Sequence, residues 1–142
     1  MKDYPRKALS TDKYETDQWL QSIFPTKGWF DPCPIDWDEH YHVSGLEIEW
    51  RHAVELDSLY GVFCNPPYSN PLPWVKKAIA ESKKGITVVM LLKHDSSTEW
   101  YRLLHEAGCH MLMVNKRLKY QTNNGAAFPS VLVVLNSVKG TV

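Results

Sequence analysis

Apolar residues in this chain fall into short unbroken runs, separated by stretches with helical spacing. Gly61 to Cys64 and Ile86 to Leu92 are such runs, the second rich in β-branched residues. They predict strands buried on both faces, as in the middle of a parallel sheet. Between them Trp74, Val75, Ala78 and Ile79 share one helix face, with Pro73 suited to the first turn and Gly85 to the end. Ser96-Ser97-Thr98-Glu99 contains a capping box, opening a helix whose Trp100, Leu103, Leu104 and Ala107 face inward and which Gly108 closes. Cys109 to Val114 reads as a further strand, Gln121 to Gly125 as turn, and Ser130 to Leu135 as the last strand. Nearer the start, Thr16 or Asp17 caps a short helix through Phe24, and Trp29-Phe30 is a short strand. Ile35 to Tyr60 has no clear period, and Met1 to Asp12 reads as a loose polar arm.

Strands alternating with helices predict an α/β fold: a mostly parallel open sheet with helices on both faces. The last two strands, joined by a loop, predict a closing antiparallel hairpin. At 142 residues the chain is expected to form one domain, residues 1–142.

Composition narrows the setting. The longest apolar run, Ile86 to Leu92, is too short to span a bilayer, and the charged Met1 to Ser10 lacks the apolar core of a signal peptide. Three cysteines without paired spacing argue against a disulfide framework and fit a reducing cytoplasm. Formal net charge is zero, but eight acids and one base lie between Asp31 and Asp57, against ten bases and four acids from Ser58 onward. That asymmetry suits a cationic small ligand held beside a polyanion.

The chemistry concentrates in Asn65-Pro66-Pro67-Tyr68, directly after an apolar strand. Each proline fixes φ and removes a donor, so the chain leaves the sheet stiff and extended. A side-chain amide, a carbonyl and an aromatic ring are thereby grouped at a strand's carboxyl end, where ligands sit in open α/β sheets. The Asn65 oxygen and the Pro66 carbonyl can accept the two hydrogens of a planar amine and favour a pyramidal, nucleophilic nitrogen. Tyr68 can stack on the flat group carrying it. This is electrostatic catalysis of the oxyanion-hole kind with the sign reversed. Asp38-Glu39-His40-x-His42 has metal-ligand residue types but lacks further spaced ligands, so a surface strand is the better reading and no metal is expected. Gly-x-Gly-x-x-Gly is absent, which gives no support to a hydride-transfer or kinase glycine loop.

These motifs, in order, resemble the phage-type DNA N6-adenine methyltransferase (Dam) family. The resemblance rests on Phe30-Asp31-Pro32-Cys33, Ser44-Gly45-Leu46 with Trp50, Asn65-Pro66-Pro67-Tyr68-Ser69, Trp74-Val75-Lys76-Lys77, Val89-Met90-Leu91-Leu92, Lys116-Arg117-Leu118-Lys119-Tyr120 and Phe128-Pro129-Ser130. Thr16-Asp17 and Ser44-Gly45 stand where the family usually has Thr-Pro and Asp-Gly. The resemblance implies a Rossmann-like fold and transfer of a methyl group from S-adenosylmethionine to adenine N6 in double-stranded DNA. Asn65, Pro66, Pro67 and Tyr68 would then be catalytic. Asp31 would lie near the amino-acid end of the donor, with Pro32 and Cys33 along it; Thr16 would bond its carboxylate, and Asp36 or Asp38 its ribose diol.

The target adenine would have to leave the base stack. Ser69, Lys116, Arg117, Lys119, Tyr120 and Asn123 are the candidates for DNA contact, since Lys and Arg suit phosphates and Asn suits base edges. Cys33 as a nucleophile of the cytosine-5 kind is disfavoured, because N-methylation needs no thiol. The alternatives are methylation of RNA or of a protein glutamine, or a catalytically silent DNA-binding module. A monomer or homodimer in the cytoplasm of a bacterial host completes the expectation.

Overall fold

The computed structural model describes residues 27–34, 37–67, 69–119 and 127–136, with side chains for all of these but 115–119 and 127–128. In chain order they form β1 (Trp29–Phe30), α1 (Trp50–Leu56), β2 (Gly61–Cys64), α2 (Leu72–Ser82), β3 (Val88–Lys93), α3 (Glu99–Glu106), β4 (His110–Lys119) and β5 (Ala127–Leu135). The strands make one five-stranded mixed sheet in the order β1-β2-β3-β5-β4. β1, β2 and β3 are parallel, and β5 runs antiparallel to both β3 and β4. The antiparallel closing pair expected from the sequence is present, but β5 inserts between β3 and β4, which leaves β4 at the edge of the described sheet.

Strand alternation sorts the core into two sides. Val62 and Cys64, Val88, Met90 and Leu92, and Val131, Val133 and Leu135 point to one face. There they meet Trp50 and Val54 of α1, Trp74, Val75 and Ala78 of α2, and Trp100 and Leu104 of α3. Phe63, Val89, Leu91 and Leu132 form the opposite face. Helices are expected on both faces; among the described residues all three pack on the first.

Several local readings change. The capping box does not form: Thr98 is the N-cap of α3, its Oγ1 accepting from the Tyr101 N–H, and Ala107 is exposed. Glu99 instead lies 3.7 Å from Arg102. His40 and His42 lie in a turn around Asp38, not on a strand. β4 runs past Val114 to Lys119, with a register shift between Met113 and Arg117. The irregularity lies opposite the stretch ending at Pro129, which has no N–H to give the ladder.

The unclassified stretch before Tyr60 contains α1. Its own N-cap residue, Glu49, makes no side-chain cap. Glu81, buried at the end of α2, supplies one instead: Oε1 accepts from the N–H groups of Trp50 at 2.8 Å and Arg51 at 3.2 Å. Oε2 accepts from Lys84 at 2.7 Å and Lys77 at 3.2 Å. A carboxylate at a helix N-terminus also meets the positive end of the helix dipole. Among the described residues no helix is long and apolar enough to cross a membrane.

Candidate active site at the carboxyl ends of the parallel strands

Parallel pairing puts the carboxyl ends of β1, β2 and β3 along one edge, but the strands stop at different heights. Cys64 is the last residue of β2 paired to β3, opposite Met90. β3 continues through Leu91, Leu92 and Lys93, paired only to β5 on its other side. The two prolines after Asn65 explain the early stop, since neither can donate to a ladder. Where β2 has left, a cavity of about 150 Å³ opens, lined by Asn65, Pro66, Pro71, Leu91, Leu92, Lys93, Asp95, Thr98 and Trp100. A void of about that size holds one benzene-sized ring.

Asn65 is half-buried, and among the described residues its side-chain amide has no hydrogen-bond partner. Pro66 is buried and Pro67 exposed; the Asn70 N–H closes a turn on the Pro67 carbonyl at 3.1 Å, and Ser69 is exposed within it. Tyr68 lies outside the described residues. Lys93, Asp95, Thr98 and Trp100, which sequence reasoning did not assign to the site, share the cavity. Asp95 was findable by the rule that singled out Asn65, since it closely follows a strand's carboxyl end. Its carboxyl is held below the ordinary value by two hydrogen bonds from Ser97, Oγ at 2.6 Å and N–H at 3.1 Å.

Beside this corner, Asp31 follows β1 and is buried, with Oδ1 accepting from the Cys33 N–H at 3.0 Å. Burial and then the Asp31 charge push the Cys33 thiol up to about 12. Burial, then Cys33 and Asp31, also raise Cys64. Both thiols are therefore neutral near pH 7, and a Cys33 nucleophile would lack its thiolate. The same two influences bring Asp31, Cys33 and Cys64 into one neighbourhood, so the ends of β1 and β2 form a single rim.

Gly45 explains part of how that rim is held. A Cβ there would stand 1.8 Å from the Pro32 carbonyl oxygen and 3.1 Å from Trp74 Cζ3. Only glycine lets the backbone pass so close to Pro32. The Gly45 carbonyl in turn accepts from Trp50 Nε1 at 2.8 Å, and Trp50 is fully buried. Residues 37–44 thus lead into a point pinned at Gly45. Within them Asp38 Oδ1 accepts from the His40 N–H, and His42 Nδ1 accepts from the Asp38 N–H, each at 2.8 Å. One Asp38 oxygen is therefore already engaged. Among the described residues no three His, Cys, Asp or Glu side chains gather to hold a metal. Thr16 and Asp36 lie outside the described residues.

The basic segment expected to touch DNA lies on the far part of β4, where Arg117 pairs with Pro129 and Lys119 with Ala127. Lys93, the end of β3, pairs with Ser130. β4 runs parallel to β3, so the backbone of Arg117 to Lys119 extends past the sheet on the same side as the cavity. Lys116 lies in the irregular stretch just before it. Tyr120 and Asn123 lie outside the described residues.

Comparison with known proteins places the chain in a family. A family model described as DNA N-6-adenine-methyltransferase (Dam) matches residues 42–139. That range holds Gly45, Asn65 to Ser69, Asp95 and the basic segment, and begins after Asp31 to Cys33. A DNA N-6-adenine-methyltransferase of Haemophilus phage HP1 is 43% identical over 125 residues, covering 82% of this chain and 70% of the relative. One from Escherichia phage T1 is 35% identical over 57 residues, covering 40% of this chain and 24% of the relative. No solved structure gives a match. With the family model and the phage HP1 relative both spanning most of its length, the chain belongs to the DNA N-6-adenine-methyltransferase (Dam) family.

Proposed function

We propose that this protein transfers the methyl group of S-adenosylmethionine to N6 of adenine in double-stranded DNA. The observation that carries the proposal is the Asn65 amide, without a partner among the described residues, in a ring-sized cavity that exists because β2 stops at Asn65-Pro66. Family membership supplies the substrate class. We read the fold as Rossmann-like, a reading supported by three parallel strands and one reversed strand inserted before the last.

The residues present suit a cationic donor. A buried carboxylate at Asp31 and two neutral thiols make an acceptor-rich, weakly polar rim. When bound, S-adenosylmethionine supplies an electrophilic methyl group on a sulfonium. Asp31 would hold its ammonium end, with Pro32 and Cys33 alongside; Thr16 would take its carboxylate and Asp36 or the remaining oxygen of Asp38 its ribose.

On the acceptor side, Asn65 and the Pro66 carbonyl take the hydrogens of N6, orient its lone pair and stabilise the positive charge that develops there. Tyr68 stacks on the extruded adenine and offsets part of the few kcal/mol lost from the base stack. The basic end of β4, with Ser69, Tyr120 and Asn123, holds the phosphates and neighbouring bases. Positioning supplies the rest of the acceleration.

The test is incubation of the purified protein with labelled donor and, separately, duplex DNA, RNA and protein. Labelled N6-methyladenine in DNA is expected. Label in RNA or protein alone refutes the DNA assignment, and donor binding without any product favours a silent DNA-binding module.

A further inference from the structure

Asn65 and Pro66 account for one wall of the cavity; the other carries a carboxylate that the reaction just described does not use. Asp95 closely follows β3 as Asn65 follows β2, and the two side chains line the same space. We propose that Asp95 places a fixed negative charge beside the reacting amine, stabilising the cation formed on N6 and then taking one of the two hydrogens that Asn65 and the Pro66 carbonyl first hold. The inference rests on the proposed adenine-methylating function and deepens it.

Three observations support it. Asp95 is anchored: Ser97 donates from both Oγ and N–H to Oδ1, and Thr98 Oγ1 donates to the Asp95 carbonyl at 2.9 Å. These bonds engage Oδ1, and among the hydrogen bonds of the described residues none falls on Oδ2. The carboxyl stays ionised at neutral pH, with the Ser97 hydrogen bonds as the main cause and Lys93 and His94 as lesser ones. Finally, Asp95 is the carboxylate lining this cavity, beside Lys93, and a carboxylate suits an amine losing a proton.

The step balances without another reagent. N6 donates its lone pair to the methyl carbon, and the carbon–sulfur bond breaks with its electron pair remaining on sulfur. N6 then carries the positive charge, bonded to the ring carbon, the new methyl and two hydrogens. One of these hydrogens passes as a proton to Asp95, which is partly exposed and returns it to solvent. Fixed negative charge near a developing cation acts before the proton moves, so it lowers the barrier of the methyl transfer itself.

Asp95→Asn separates this role from a structural one, because the asparagine oxygen still accepts from Ser97 while the charge is gone. The expected result is kcat lower by about 10²-fold, the size seen when one preorganised electrostatic group is removed from an active site. Donor affinity, KM for DNA and melting temperature should stay near wild type. Ser97→Ala, which loosens the carboxylate but keeps it, should cost less. A kcat within about threefold of wild type overturns the proposal. So does a fall in kcat matched by a fallen melting temperature in both variants, which would make Asp95 a turn-forming residue only. If the wild-type protein methylates no DNA, the failure belongs to the proposed function; if it does and Asp95→Asn keeps kcat within about threefold of it, the failure belongs to this inference alone.

Discussion

Removing the Glu81 carboxylate should destabilise the protein and loosen the rim of Asp31, Pro32 and Cys33 without touching it directly. Glu81 is 1% exposed and accepts four hydrogen bonds, two from the first N–H groups of α1 and two from Lys77 and Lys84. In Glu81→Ala both N–H groups lose their acceptor. Loss of a helix cap costs about 0.5–2 kcal/mol, and breaking a buried ion pair about 3–5 kcal/mol. Lys84 is exposed and recovers hydration, which argues for a total below the sum of the two, about 3 kcal/mol. At roughly 2–4 °C per kcal/mol, the melting temperature should fall by about 6–12 °C.

The sign of the pH dependence follows from Glu81 itself. Burial pushes its carboxyl up, but hydrogen bonds from Lys84, Lys77 and the Arg51 N–H outweigh it and hold it below the ordinary 4.5. The folded chain therefore binds that proton more weakly than the unfolded chain. The network's contribution is whole above the unfolded value and is lost as pH falls through the folded one. Urea midpoints of wild type and Glu81→Ala should differ by a constant amount from about pH 8 to about pH 5 and converge below that. Donor affinity should weaken as well, because α1 holds Trp50, Trp50 holds the Gly45 carbonyl, and Gly45 packs on Pro32. A melting temperature within about 2 °C of wild type, or a gap indifferent to pH, refutes the reasoning.

Asn65→Ala should lower the rate of methyl transfer by about 10²-fold or more while calorimetry finds donor affinity nearly unchanged; equal weakening of donor binding would assign Asn65 to the donor instead. Gly45→Ala forces a methyl group against the Pro32 carbonyl and should cost about 1–3 kcal/mol in chemical denaturation, with weaker donor binding. With its thiol at about 12, Cys33 should resist iodoacetamide at mildly alkaline pH in the folded protein and react once unfolded; equal rates in the two states would contradict its burial. Replacing Lys116, Arg117 and Lys119 together by alanine should reduce the slope of log affinity for DNA against log salt by up to about 0.9 for each phosphate no longer neutralised. An unchanged slope would assign phosphate binding to other residues.

What the sequence disclosed and what it withheld divide along local and non-local lines. β2, β3 and α2 were readable because their signals lie within themselves: unbroken apolar runs, and Trp74, Val75 and Ala78 on one face. α1 was not. Trp50 and Val54 have helical spacing and Arg51 pairs with Glu55 at 2.8 Å, but seven residues offer little to a periodicity test. Its cap comes from Glu81, about thirty residues onward. The capping box failed for a related reason. Ser97 bonds to Asp95 and Thr98 to both Asp95 and Tyr101, so the turn that leaves β3 sets where α3 begins.

The site shows the same division at the scale of chemistry. The prolines announce that β2 must stop, and the amide before them announces what it leaves exposed. Nothing within Asn65 to Tyr68 says that β3 runs three residues further, since that depends on β5 pairing with its other flank through Leu91, Leu92 and Lys93. The cavity is this difference in strand length, and the difference brings Asp95 to face the same space as Asn65. Under the proposed function, an amine-accepting corner read from one strand end would become a two-walled site, with a neutral acceptor on the wall built by β2 and a fixed charge on the wall built by β3. The neutral wall can orient an amine but cannot keep a proton, whereas the charged wall can do both. That division of labour is why the Asn65→Ala and Asp95→Asn effects should be less than additive if the two groups act on one nitrogen.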